Sequence, residues 1–305
     1  MKARGRWASL ADRKASDMYK IMTDSECGLP KAFLNQHEVG VVRSFVQLED
    51  HQFGDYFYNQ QNMAAFYDTL KRGEHPITSQ VSIGEYVAAF ENIIAQHTPI
   101  IFIGMSKGLS GSFNSANQAR DILLEKYPDA KLMIVDTLAA CAGEGLLVIK
   151  AVQLRQAGMS LDEAVTQLNA CRLQVHHFFT VANLKFLYQG GRLSKRDAIL
   201  GDMLHIKPIL DVDAQGKLRV IKKVRTSSRA VKTLADMILA DIQADDQTVL
   251  ISTSGDWEAA EMVRKQIQGA SPKLKLMVTP IGPTIASHTG YGCLGVFTMG
   301  KTPRQ

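Results

Sequence analysis

A chain of 305 residues, 46% hydrophobic and 21% charged, carries enough apolar content for about two domains and lacks the apolar depletion that marks disorder. Its net charge is +5, but the 35 Lys and Arg residues are scattered, five of them within the first fourteen positions. No aromatic-basic face or reading helix stands out, so a nucleic-acid partner is not expected.

The opening "MKARGRWASLADRKASDMYK" is basic and has no apolar core of signal-peptide length, and no later run approaches a bilayer span. A cytoplasmic protein is expected, with residues 1–17 as a basic N-terminal extension. Strand-like runs follow at 19–24, 99–106 and 131–137, alternating with helical patterns over Asn62–Arg72, Ile83–Gln96 and Phe113–Tyr127. That alternation predicts a parallel sheet covered by helices. Helices over Ala139–Gln156 and Leu161–Leu173 lead into a second half of different character. Strand candidates there are "HHFFTVAN" (176–183), a hairpin at 207–225 turning at "DAQG", then runs at 248–255, 273–282 and 292–301. The pattern reads as an α/β chain with an N-terminal parallel domain at 18–174 and a mixed-sheet domain at 175–305, with a ligand cleft between them. The four cysteines, Cys27, Cys141, Cys171 and Cys293, are far apart and show no metal-ligand spacing, so they read as reduced thiols and no metal is expected.

The turn "GMSKGLSGSF" (104–113) joins a strand to a helix, which is where phosphate loops and nucleophiles are often found. It fails as a Walker loop, because Lys107 precedes the second glycine, and it contains no GxGxxG. It also misses the nucleophile elbow GxSxG, since Gly111 follows Ser110 directly. What remains is a glycine-rich turn with free amides in the helix from Phe113 and hydroxyls at Ser110 or Ser112, an anion cradle without a charged side chain. Plain helix capping by one of the serines is the alternative. Three further segments share this character. Residues 76–86 hold Thr78, Ser79 and Ser82 before a helix; 188–210 hold a double glycine, Arg192 and Ser194; 281–297 hold Ser287, His288 and Thr289 in a glycine-rich turn.

In their order these segments resemble the DegV family of fatty-acid-binding proteins. The residues that carry the resemblance are "TDSECGLP" (23–30), "TSQVS" (78–82), "GLSGSF" (108–113), "DTLAACAGEGLL" (136–147), "FFTVANLKFLYQGGRLS" (178–194), "KPILDVDAQGKL" (207–218) and "GPTIASHTGYGCLGVF" (282–297). Together they span about residues 18 to 300. The resemblance implies a two-lobed α/β protein that encloses one long-chain fatty acid as its ligand, with no other cofactor. By position, Thr78, Ser110 and His288 match the residues that meet the carboxylate, with Ser79, Gly111, Ser112 and Thr289 as neighbours. Arg192 matches a basic position near the mouth suited to a partner or a phosphate. The family also implies a fatty acid kinase partner that converts the bound carboxylate to an acyl phosphate for phospholipid synthesis, with transient membrane contact and no chemistry by the binding protein itself.

Departures from the family pattern are Val81 in place of a proline, Lys107 before "GLSG", Tyr291 in place of a proline, and "VRTSSRA" (224–230) where a basic run is usual. The last bears on kinase contact more than on ligand binding. Physically, burying about fifteen methylenes at about 0.8 kcal/mol each gains about 12 kcal/mol gross, so the acyl chain supplies affinity and the head group supplies orientation. Two other readings stand beside this one. In the first, Ser110 is the nucleophile of an esterase or acyl transferase, His288 its base and Asp136 or Asp24 the orienter. In the second, the same pocket takes another amphiphile or a phosphorylated metabolite.

Overall fold

The computed structural model describes residues 19–55, 60–194 and 206–305. The basic extension at 1–17 and the stretch that follows Ser194 lie outside them. The first half contains strands β1 (Lys20–Asp24), β2 (Gly40–Val42), β3 (Phe45–Leu48), β4 (His51–Gly54), β5 (Ile77–Ser79), β6 (Ile100–Gly104) and β7 (Leu132–Asp136). Its helices are α1 (Lys31–Gln36), α2 (Gln60–Lys71), α3 (Ile83–Ile94), α4 (Ser112–Lys126), α5 (Ala142–Gln156) and α6 (Leu161–Cys171). The second half contains β8 (Val175–Thr180), β9 (Ile206–Val212), β10 (Leu218–Arg225), β11 (Thr248–Thr253), β12 (Lys275–Pro280) and β13 (Leu294–Met299). Helices α7 (Lys185–Gln189), α8 (Ser227–Asp241), α9 (Trp257–Ala270) and α10 (Pro283–Thr289) complete it.

The apolar runs of the first half form a parallel sheet in the order β2-β1-β6-β7. Every residue of β6 is buried, as a strand covered on both faces must be, which is why it reads as a continuous apolar run. Helix α3 covers one face and begins at a capping box, in which Ser82 accepts from the Glu85 amide and the Glu85 carboxylate accepts from the Ser82 amide. The second half forms a mixed sheet in the order β10-β9-β8-β13-β11-β12. Among the described residues its only parallel pair is β11 with β12. The β9–β10 hairpin turns where expected, with Asp213 Oδ1 accepting from the amides of Gln215 and Lys217. The two-lobed α/β architecture thus follows the expectation.

One sheet is absent from the sequence reading. Strands β4-β3-β5 form a small antiparallel sheet with Val46 opposite Thr78. Thr78 and Ser79 are therefore strand residues, and of the three hydroxyls in that segment it is Ser82 that caps the helix. These strands are three or four residues long and half-exposed, too short to show an alternation. Two helix starts also move: α4 opens at Ser112 rather than Phe113, and α5 opens at Ala142 rather than Ala139.

Although the mixed sheet begins at Val175, the core does not divide there. Helix α5 is buried along most of its length and packs on β1 and β6 of one sheet and on β8, β11 and β13 of the other. A second tie lies near the chain end. The Arg304 guanidinium donates to the carbonyls of Val212 and Asp213 on one side and of Leu138 and Arg172 on the other. Burial lowers its pKa to about 10, which leaves the charge intact near neutrality. Arg304→Ala removes four charge-assisted donations across the lobes and is expected to destabilise the fold by about 3 kcal/mol in urea unfolding.

Candidate functional site

A cleft of about 850 Å³, its open mouth included, lies between the parallel lobe and the face of the mixed sheet. It is bounded by β5, the turn before α4, the loop after α7 and helix α10. Its two ends differ in chemistry. Thr78, Ser79, Ser110, Arg192 and His288 line the part where side chains are exposed or half-buried. Cys141, Phe179, Leu187, Val212, Ile281 and Phe297, all buried, line the depth.

At the mouth, β5 and α10 meet through a 2.8 Å hydrogen bond between Thr78 Oγ1 and His288 Nε2, across 210 positions of sequence. His288 sits in the last turn of α10, against the loop after α7. Gly190 is required there: a Cβ at that position would collide with His288 Nδ1. In the turn before α4, Ser110 Oγ accepts from the Ser112 amide at 3.2 Å and donates to Ser112 Oγ at 3.0 Å. Ser110 therefore accepts from the Ser112 amide from within the turn ahead of Gly111, the N-cap position, which carries no side-chain cap, and it lines the cleft. Ser112 Oγ also accepts from the Val81 amide at 3.0 Å. A proline at position 81 could not make that bond, so this departure from the family pattern ties β5 to the start of α4.

Of the residues expected at the site, Thr78, Ser79, Ser110, Ser112, Arg192, His288 and Thr289 all line the cleft. Thr289 spends its hydroxyl on the Ile285 carbonyl of its own helix. Gly111 does not reach the wall. It is the N-cap of α4, and a Cβ there would collide with the Gln80 side chain, so its role is to let Gln80 pack close. Gln80, Glu26, Met105 and His177 also line the cleft and were not singled out, although Gln80 lies within the "TSQVS" segment.

A cradle free of charged side chains is not what the structure contains. Arg192 stands on the same wall, half-buried, with its guanidinium held by the carbonyls of Leu109 at 3.1 Å and of Gly190. Burial lowers its pKa from the ordinary value. Burial, with the Arg192 charge nearby, lowers His288 to about 4, so the imidazole is neutral near neutrality. The nucleophile arrangement is not assembled. His288 Nε2 pairs with Thr78 and Ser110 Oγ with Ser112. Asp24 accepts from the amides of Glu26 and Met105, and Asp136 accepts from the Leu138 amide with Lys107 at 3.9 Å.

A group of buried carboxyls runs back from Glu26 in the cleft wall. Thr23 Oγ1 donates to Glu144 Oε1 at 2.6 Å, Ser25 Oγ to Glu26 Oε2 at 3.1 Å, and the Thr284 amide to Asp55 Oδ2 at 2.7 Å. Burial is the main cause of every shift here. It pushes Glu144 up to about 8 and Asp55 up to about 7. Asp24, with Glu144 nearby, and Glu26, with Asp24 nearby, are both held well above the carboxylate range. Among the described residues no cluster of His, Cys, Asp and Glu is arranged to hold a metal ion, and no helix is long and apolar enough to cross a membrane. All four cysteines are free.

The family described as "Uncharacterised protein, DegV family" matches residues 18–301. A DegV domain-containing protein of Clostridium perfringens is 36% identical over 285 residues, which is 93% of this chain and 98% of that protein. A solved DegV family protein from Thermus thermophilus, described for its fatty acid binding, aligns with a TM-score of 0.83 at 26% identity, covering 93% of this chain and 99% of that one. The fatty acid kinase B3 protein of Streptococcus pneumoniae, solved with linoleic acid, aligns with a TM-score of 0.80 at 23% identity, covering 93% and 100%, a likeness of fold.

The carboxyl group makes stability depend on pH. Glu144 is neutral in the fold up to about pH 8 but ionises near 4.5 when unfolded, so its contribution is full below 4.5 and is lost as pH rises toward 8. His288 acts in the other direction, losing its contribution as pH falls from 6.5 toward about 4. Urea titrations between about pH 5 and 8 are expected to show stability falling with rising pH, and a shallower fall in Glu144→Gln, which keeps the shape of the neutral acid.

Proposed function

Since the chain belongs to the DegV family, we propose that it binds one long-chain fatty acid, its carboxylate at the polar mouth and its acyl chain in the apolar depth, and presents that carboxylate to a fatty acid kinase in the cytoplasm. The observation that carries this reading is the separation of chemistry within one cleft, hydroxyls, imidazole and guanidinium at the opening and buried aliphatic and aromatic side chains behind. Burial of about fifteen methylenes supplies about 12 kcal/mol gross, before the costs of association are met. The head group then needs partners for a charge brought partly out of water.

Thr78 and Ser110 act as hydroxyl partners of the carboxylate. Neutral His288 orients Thr78 through their hydrogen bond, and Arg192 balances the charge. A guanidinium already held by two carbonyls has donors to spare, so it can stand beside a carboxylate without fixing it as a bidentate pair. One carboxylate oxygen is then left to attack the γ-phosphorus of ATP on the kinase, forming the acyl phosphate as the bond to the leaving ADP breaks. The product is an acyl phosphate, an activated acyl group for phospholipid synthesis. The added phosphate brings more negative charge to the same wall, where Arg192 meets it. The esterase reading gains no support from the hydrogen-bond partners of Ser110 and His288.

Solvent extraction and mass spectrometry of the purified protein are expected to return close to one fatty acid per chain; an empty protein or a polar ligand would overturn the reading. Thr78→Val combined with Ser110→Ala is expected to leave the unfolding transition near the wild-type value while weakening fatty acid binding by about tenfold. Unchanged affinity would move the carboxylate elsewhere. With a fatty acid kinase and ATP, the loaded protein is expected to yield acyl phosphate, and Arg192→Ala to lower that rate by more than it lowers fatty acid affinity.

A further inference from the structure

The turn that carries Ser110 is held from behind by a residue that does not itself line the cleft. Ser106 has no exposed surface, and each of its polar groups is bonded. Its amide donates to the Ala139 carbonyl at 2.8 Å, and its carbonyl accepts from the amides of Leu109 at 3.0 Å and Ser110 at 3.1 Å. Its hydroxyl accepts from the Gly108 amide at 3.0 Å and donates to the Gly216 carbonyl at 2.9 Å, across 110 positions of sequence.

Gly216 belongs to the tip of the β9–β10 hairpin, in the other lobe. Tip and turn meet with no side chain between them. A Cβ at Gly216 would collide with Ser106 Oγ, and one at Gly108 would press on the carbonyls of Gly216 and Gln215. The tip is itself tied, because Asp213 accepts from the amides of Gln215 and Lys217 at its carboxylate and from the Gly216 amide at its carbonyl. Val212 and Leu218, paired across the hairpin just below the tip, both line the cleft. The hairpin is therefore part of the cleft wall at its base and grips the head-group turn at its tip.

We propose, building on the fatty-acid reading, that Ser106 is a positioning residue: its hydroxyl fixes the turn at 106–110 to the hairpin tip and so sets where the Ser110 hydroxyl stands toward the carboxylate. The turn has glycine at 108 and 111, positions of high backbone freedom, so its place depends on what holds it. A hydrogen bond to the carboxylate tolerates only a few tenths of an ångström of displacement. Loss of the Ser106 hydroxyl takes the partner from the Gly108 amide and the Gly216 carbonyl and frees the turn from the other lobe. The depth of the cleft is built from other buried side chains and keeps its shape, so the acyl chain is held as before and the carboxylate less well.

Competition for a fluorescent fatty acid on the full chain tests this, with octadecanoic acid and octadecan-1-ol as competitors, which share a tail and differ in the head group. In Ser106→Ala the preference for acid over alcohol is expected to fall about fivefold, as loss of a positioned hydrogen bond implies, with alcohol affinity within about twofold of wild type. In a Ser110→Ala background the same substitution is expected to change the preference by less than about twofold, since the two residues act through one contact. Gly216→Ala disturbs the same bond from the hairpin side and is expected to lower the preference as Ser106→Ala does; if Ser106→Ala does not fold, Gly216→Ala decides alone. Equal weakening of acid and alcohol would mark a packing role only and overturn the inference, and so would an unchanged preference or a full fivefold effect without Ser110. A wild type that binds the acid no more tightly than the alcohol would overturn the head-group reading beneath it, a result distinct from any of these.

Discussion

The burial of one helix between two sheets is the constraint on which this molecule is built. Helix α5 touches both sheets and is buried through its first two turns, so its polar residues Lys150, Gln153 and Gln156 reach water only toward its end. Its first turn compensates with small residues. Gly143 admits the His177 ring, and Gly145 admits the Cys27 carbonyl and the Leu29 side chain. Because α5 packs on both sheets, it joins the two lobes behind the cleft. Cys141 and Ala140, at the entry to that helix, are part of the cleft wall for the same reason.

From this follows the division of labour in the site. The depth is shaped by packed, buried side chains, and packing of that density fixes a volume more than it fixes a chemistry. The mouth is assembled from short elements on separate parts of the chain: a three-residue strand, a turn, a loop and a seven-residue helix. Its groups hold one another. Thr78 bonds His288, Ser110 bonds Ser112, Ser112 bonds Val81, and Arg192 is held by the Leu109 carbonyl of the turn it faces and by Gly190 of its own loop. A head group entering this network finds donors and acceptors already oriented, which lowers the entropy cost of holding it.

How much of this could be read from the residues depends on the range of the forces involved. Strand β6 is legible because burial on both faces leaves a continuous apolar run, and the β9–β10 turn is legible because Asp213 and Gly216 carry local turn chemistry. The small sheet is not legible: β3 and β4 form a hairpin of strands too short to show a period, and β5 joins it from a later part of the chain. The same holds for the site. Thr78 and His288 share no local signal, and only the order of motifs along the chain brings them to one place before the fold is known. The deep wall is harder still, since Phe179, Val212 and Phe297 read simply as buried strand residues. Their common face emerges from antiparallel register. Val81 shows the limit from the other side: the departure from proline is plain in the sequence, but its bond to Ser112 is visible only in three dimensions.

The formal charge of +5 counts every Asp and Glu as ionised. The fold does not permit that at neutral pH, because burial pushes the Glu144 carboxyl up to about 8, and burial raises Asp24 and Glu26 in the same direction. Each proton retained adds one unit to the folded molecule that the unfolded chain does not carry. The native protein thus carries more positive charge than its composition states, which strengthens its attraction to anionic surfaces. Unfolding would release those protons and weaken that attraction together, so the native charge is itself a property of the packed interior.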